Sequence, residues 1–237
     1  MTIENEQRLQ AWLPDDPDLA HIVGRLMTAV TTAPEAIEPG EASVIAIVTL
    51  TVQHTPQLIP QQVKLALQQG ISAQQMLEAV YQLVPVVGLP KVQDALRAMH
   101  TVLPAAQPTP STADEVGATV QQRLYGTEIK TLLHGLPANA GNDLPAWLTQ
   151  HFFEDYYGRA GLTVAQRERY ELMALITLNV DFQIKAHARG SLKAGNSEER
   201  LIWSALQLLP YVGFPLVINS VQRIHAAAVE LNNQKEA

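Results

Sequence analysis

The chain has 237 residues, 47% of them hydrophobic, a net charge of −7 and no cysteine. That is enough apolar material for one large or two small cores. The acidic balance disfavours nucleic acid and anionic membrane as partners, and the missing thiols remove disulfides, thiolate metal sites and thiol nucleophiles.

Almost every segment reads as helix. Residues 1–30 hold an opening helix. "ASVIAIVTLTVQ" (42–53) is apolar all round, which marks a buried helix. Its Val, Ile and Thr also suit a strand, but its length and the lack of hairpin turns favour helix. "TPQLIPQQVKLALQQG" (55–70) starts at a Thr-Pro signal and stops at Gly70. Ser72 and Gln75 make a capping box for a helix over 73–88. Pro85 is expected to bend its last turn, Gly88 to end it and Pro90 to start the next helix. "LPAAQPTPSTADE" (103–115) is a semi-extended connector. "DEVGATVQQRLYG" and "TEIKTLLHGL" are two short bridging helices. An aromatic-rich amphipathic helix follows over 143–157, then a second core helix, "RYELMALITLN", and a helix over 181–195. Ser197 caps a helix over 198–213, where Pro210, Gly213 and Pro215 repeat the earlier corner.

"PVVGLP" at 85 and "PYVGFP" at 210 lie 125 residues apart, and the same offset matches much more. Gly70 falls on Gly195, Ser72 on Ser197, Gln82-Leu83 on Gln207-Leu208 and His100 on His225. No gap is needed, so the chain reads as an internal duplication. The expected organisation is a first repeat over 1–103, a linker with bridging helices over 104–139, and a second repeat over 140–237. The expected fold class is all-α.

The second repeat resembles the carboxymuconolactone decarboxylase family, which is related to the alkyl hydroperoxidase D family. The resemblance is carried by Arg167, Leu178-Asn179, His187, Gly195, Glu198-Glu199 and the corner Tyr211-Val212-Gly213-Phe214-Pro215. It is weaker over 42–103 and absent from the bridge. It implies helical subunits that pack into oligomers, for a two-copy chain a trimer mimicking a hexamer. In the hydroperoxidase branch a Glu, two cysteines and a His act together. The corresponding positions here are Glu168, Val180, Gln183 and His187, so a thiol peroxidase is excluded. In the first repeat the same positions hold Ser43, Thr55, Leu58 and Gln62, which makes it a degenerate copy.

The candidate catalytic residues are therefore His187, as general acid/base, and Glu168, as its orienting carboxylate. A buried histidine and a helix-start acid are the structural alternatives. Arg167, Lys185 and Tyr211 are candidates to hold a substrate carboxylate or oxygen. The expected function is a cofactor-independent lyase acting on a small acid or lactone, such as an oxo-acid. The alternative is a non-catalytic oligomeric member that binds a ligand or partner. Neither a metal-ligand spacing nor a phosphate loop occurs, so no metal or cofactor is expected. Without a basic and apolar leader or a spanning segment, a cytoplasmic protein is expected.

Overall fold

A computed structural model describes residues 5, 9, 12–32, 37, 38, 40–106 and 117–236. Most of the connector expected over 103–115, and parts of the opening helix, lie outside them. The described residues are helical and contain no strand. The first repeat consists of α1 (Pro17–Thr31), α2 (Glu41–Val52), a 3-10 turn (Pro56–Leu58), α3 (Ile59–Gln68), α4 (Ala73–Tyr81), α5 (Val84–Val87) and α6 (Leu89–Met99). The bridge contributes α7 (Gly117–Tyr125) and α8 (Glu128–Leu133). The second repeat contains α9 (Ala140–Trp147), a π-helix (Leu148–Tyr157), α10 (Val164–Leu178), α11 (Asp181–Lys193), α12 (Glu198–Leu206), α13 (Leu209–Val212) and α14 (Phe214–Glu236). Shifting α4 and α5 by 125 residues gives the bounds of α12 and α13.

α2 and α10 pack against each other at the centre of the molecule. This is why α2 is apolar on every side: all its residues but Ala42 are buried. Side chains from both repeats join in one hydrophobic core, so the repeats are two halves of one packed unit. Two buried ion clusters cross between them. Glu78 on α4 binds Arg159 (2.8 Å) and Arg167 on α10 (3.1 Å). Glu41 at the start of α2 binds Arg169 on α10 and Arg200 on α12. Neither cluster is duplicated, since Ala42, Val44 and Gln166 stand at the positions that match Arg167, Arg169 and Glu41.

The repeated corner differs from expectation in one respect. Pro85 does not kink α4. The helix has already ended at Tyr81, and Pro85 sits in the first turn of α5, where its missing N–H leaves nothing unpaired. Pro210 does the same in α13. Gly88 (φ 83°, ψ 155°) and Gly213 (φ 79°, ψ 169°) then take a conformation essentially closed to other residues. The corner recurs because each repeat needs the same reversal before α6 or α14. The capping box of Ser72 with Gln75 forms as expected, and Thr163 with Gln166 makes a second one that opens α10. The amphipathic helix expected over 143–157 is α9 followed by the wider π-helix, a winding often found at functional sites. No described helix is long and apolar enough to cross a membrane.

Candidate active site

α10 carries Glu168 and Glu171 one turn apart, on the face turned toward α11 and the bridge. Both carboxyl groups are fully buried. α11 brings His187 opposite them, its Nδ1 3.5 Å from Glu168 Oε2 and 3.6 Å from Glu171 Oε2. Tyr125, the last residue of α7, inserts its hydroxyl between the two elements. It donates to Glu168 Oε2 and lies 2.9 Å from His187 Nδ1. Tyr157, at the end of the π-helix, places its hydroxyl 2.5 Å from Glu168 Oε1 and 3.1 Å from Glu171 Oε2. Gly190 makes room for this arrangement. A Cβ there would stand 2.5 Å from Tyr125 Oη and 2.9 Å from Glu168 Oε2.

Counting hydrogens assigns the protons. Each tyrosine hydroxyl has one hydrogen and can donate once. Both point theirs at Glu168, which therefore accepts as a carboxylate on both oxygens. With the Tyr125 hydrogen on Glu168, the 2.9 Å contact between Tyr125 Oη and His187 Nδ1 takes its hydrogen from the imidazole, which corresponds to the Nδ1–H tautomer. The Tyr157 hydroxyl also reaches Glu171 Oε2 at 3.1 Å, and where its hydrogen stays on the shorter bond to Glu168 a neutral Glu171 supplies the hydrogen of this contact. Burial pushes the Glu171 carboxyl well above the usual carboxylate range, and the charge of Glu168 adds to this. Burial, with the two nearby carboxyls, also holds the Tyr125 and Tyr157 hydroxyls well above their ordinary value, so both remain donors.

A protonated buried Glu171 has a consequence for stability. The unfolded chain ionises Glu171 from about pH 4.5 upward, while the folded chain does not. Below that pH both states hold the proton and Glu171 adds no pH-dependent penalty; stability is lost as pH rises from there toward the folded value. Glu171→Gln keeps the shape and removes this dependence. The variant should melt several degrees above the parent at pH 8, and the difference should vanish near pH 4. Equal pH profiles of Tm would contradict the assignment.

His187 also faces a cavity of about 380 Å³. Tyr125, Phe152, Phe153, Leu175 and Leu178 form its inner walls, and Gln121, Gln183 and Glu128 add polar groups. The first repeat's corner, Pro85 and Val86, closes one side, so both halves build the site. His187 Nε2 makes no hydrogen bond with the described residues and is the nitrogen left for the cavity.

Glu168 and His187 are thus brought together, with Tyr125 bridging them. Arg167, expected as a carboxylate anchor, is elsewhere. It is buried against Glu78, Gln82 Oε1 (3.3 Å) and the carbonyl of Arg159 (2.8 Å), where it ties the repeats together. Lys185 points to solvent and pairs with Asp181 one turn away (2.9 Å). Tyr211 sits in the second repeat's own corner and not on this cavity, and its ring packs on Trp12 at 5.7 Å. By the repeat offset it matches Val86, and it faces the first repeat. There Ser43, Ala46, Gln62 and Leu65 replace Glu168, Glu171, His187 and Gly190, so no such network can form. Gln62 is buried with neither amide atom hydrogen-bonded among the described residues.

Among the described residues, Glu168, Glu171 and His187 are the group whose ligand atoms lie close enough to share a cation, within 4.8 Å of one another. In this structure the same side chains are tied to one another through the hydroxyls of Tyr125 and Tyr157.

The sequence pattern of the carboxymuconolactone decarboxylase family matches residues 17–101 and again residues 142–225. The chain belongs to the carboxymuconolactone decarboxylase family. It is a tandem member, with one family unit in each half. No curated protein matches it. The two matched regions leave out α7 and therefore Tyr125, so this member's histidine is held by a residue from between its family units.

Proposed function

We propose that this family member is a cofactor-independent general acid–base catalyst that forms an enolate from a small lactone or other oxo compound. The observation that supports this best is the hydrogen-bonded chain from Glu168 through Tyr125 to His187, which ends at a cavity. In the resting state Nε2 has a free lone pair. It takes a proton from the carbon next to a substrate carbonyl, and the C–H electron pair becomes an enolate. The Nδ1 proton can pass to Tyr125 Oη while the Tyr125 proton passes to Glu168, so the positive charge does not stay on the ring. Reversing the sequence returns a proton to the enolate. General acid–base catalysis of this kind is worth about 10²–10⁴-fold. Gln121 supports the enolate stage. Hydrogen-bonded to Thr149 (2.6 Å), it lines the cavity with an amide that can meet a substrate oxygen.

The test is deuterium incorporation next to the carbonyl of small ketones and lactones in D₂O, followed by NMR. Incorporation faster than in buffer, and lost in His187→Gln, supports the reading. Ligand binding without exchange would support a non-catalytic binding protein.

We also propose a homo-oligomer, most simply a trimer. Leu19 and Ile22 on α1 are exposed, and so are Leu144 and Trp147 at the matching positions of α9. Leu89 and Phe214 form another matched exposed pair. Apolar residues kept outside at equivalent places in both halves are what a repeated subunit contact requires. Sedimentation at micromolar concentration should give a mass near three chains, and a 26.0 kDa species would end the proposal.

A further inference from the structure

The cavity's walls say what kind of molecule it takes. Of the residues that line it, the ionisable ones are Tyr125, His187 and Glu128, so among the described residues no lysine or arginine lines the cavity. Arg189 lies beside the mouth but is engaged by both oxygens of Glu128 at 3.0 Å and lies 3.9 Å from Glu230. Behind His187 stand two buried carboxyl groups, one of them ionised. A carboxylate entering here would lose its hydration, meet no cation except an Arg189 already paired with Glu128, and approach negative charge. Burying an unpaired anion is among the costliest steps in protein chemistry. The polar groups on offer are neutral amides, Gln121 and Gln183, which suit a carbonyl oxygen. The volume, about 380 Å³, is within the range of pockets that hold small molecules.

From this we infer that the site selects an uncharged, carbonyl-bearing molecule with an apolar body, and rejects carboxylates. Substrate loss of carbon dioxide, which needs a carboxylate in the site, is then not its reaction. The inference rests on the acid–base reading above for what happens to the ligand, but not for which ligand binds.

Three probes separate charge from shape: acetophenone, methyl 4-acetylbenzoate and 4-acetylbenzoate. All share the ketone, and the ester is larger than the acid but uncharged. Dissociation constants are measured by ligand-observed NMR titration of the whole protein. The two neutral probes should bind at least tenfold tighter than the carboxylate. Gln183→Lys, which adds a cation to the wall, should tighten 4-acetylbenzoate by about tenfold and leave acetophenone little changed. Equal or tighter binding of the carboxylate by the parent protein would overturn the inference, as would failure of both neutral probes to bind. Exchange of the acetyl protons is recorded in the same samples. Neutral preference without exchange would sink the acid–base reading alone, and exchange without neutral preference would sink this inference alone.

Discussion

Replacing His187 with Gln should lower proton exchange at least about 100-fold while leaving the fold in place. The first repeat already carries Gln62 at the matching position of α3, so the helix tolerates that side chain. A Gln amide can also donate to Tyr125 Oη as Nδ1 does, which keeps Tyr125 and Glu168 hydrogen-bonded. The stability change should stay within about 1 kcal/mol, as for substitutions outside the core. The reciprocal change, Gln62→His, should gain no activity. Ser43 offers no carboxylate there, and Leu65 stands where Gly190 admits Tyr125. If His187→Gln unfolds the chain, the histidine is a packing residue and the catalytic reading fails. Circular dichroism on the same sample as the exchange assay separates the two results.

The largest loss of stability is expected from Glu78→Ala. Glu78 and Arg167 are each 1% exposed, and Glu78 also holds Arg159. Removing the carboxylate leaves the Arg167 guanidinium buried with only Gln82 and a carbonyl, at a cost of about 3–5 kcal/mol. With native stability near 5–15 kcal/mol, that is a large fraction of the total. At ~2–4 °C per kcal/mol for a chain of this size, Tm should fall by about 6–20 °C. Pairing the change with Arg167→Met removes the orphaned charge and should recover most of the loss. A Tm within about 2 °C of the parent for Glu78→Ala would show that the cluster does not hold the repeats together.

Much of this architecture is legible in the sequence because duplication doubles every signal. The glycine corner, the serine caps and the central core helix each occur twice, at one offset, for the same packing reason. His187 and Glu168 are legible through the family pattern. Arg167 misleads for a physical reason: an arginine at a helix start is usually solvated, and only the Glu78 of the other repeat, 89 residues away, makes it a buried tie. Glu171 leaves a trace, since a second glutamate three positions after Glu168 in so apolar a helix needs a partner. Tyr125 leaves almost none, because α7 lies outside the repeated segment. The clue nearest to it is Gly190, a glycine inside a helix where the first repeat has Leu65. The exclusion of carboxylates depends on where Lys185 and Arg189 point, and helix periodicity alone does not decide that.

The proposed proton-transfer chain, ending at a free Nε2 that faces the cavity, is checked by long-range ¹H–¹⁵N correlation of His187, assigned against His187→Gln, near pH 8. The account expects the tautomer with hydrogen on Nδ1 and an unprotonated Nε2. It also expects Tyr125→Phe, which takes away the acceptor of the Nδ1 hydrogen, to shift the ring toward the other tautomer. An Nε2–H tautomer in the parent protein, with Nδ1 accepting from Tyr125, would reverse the chain and contradict the account.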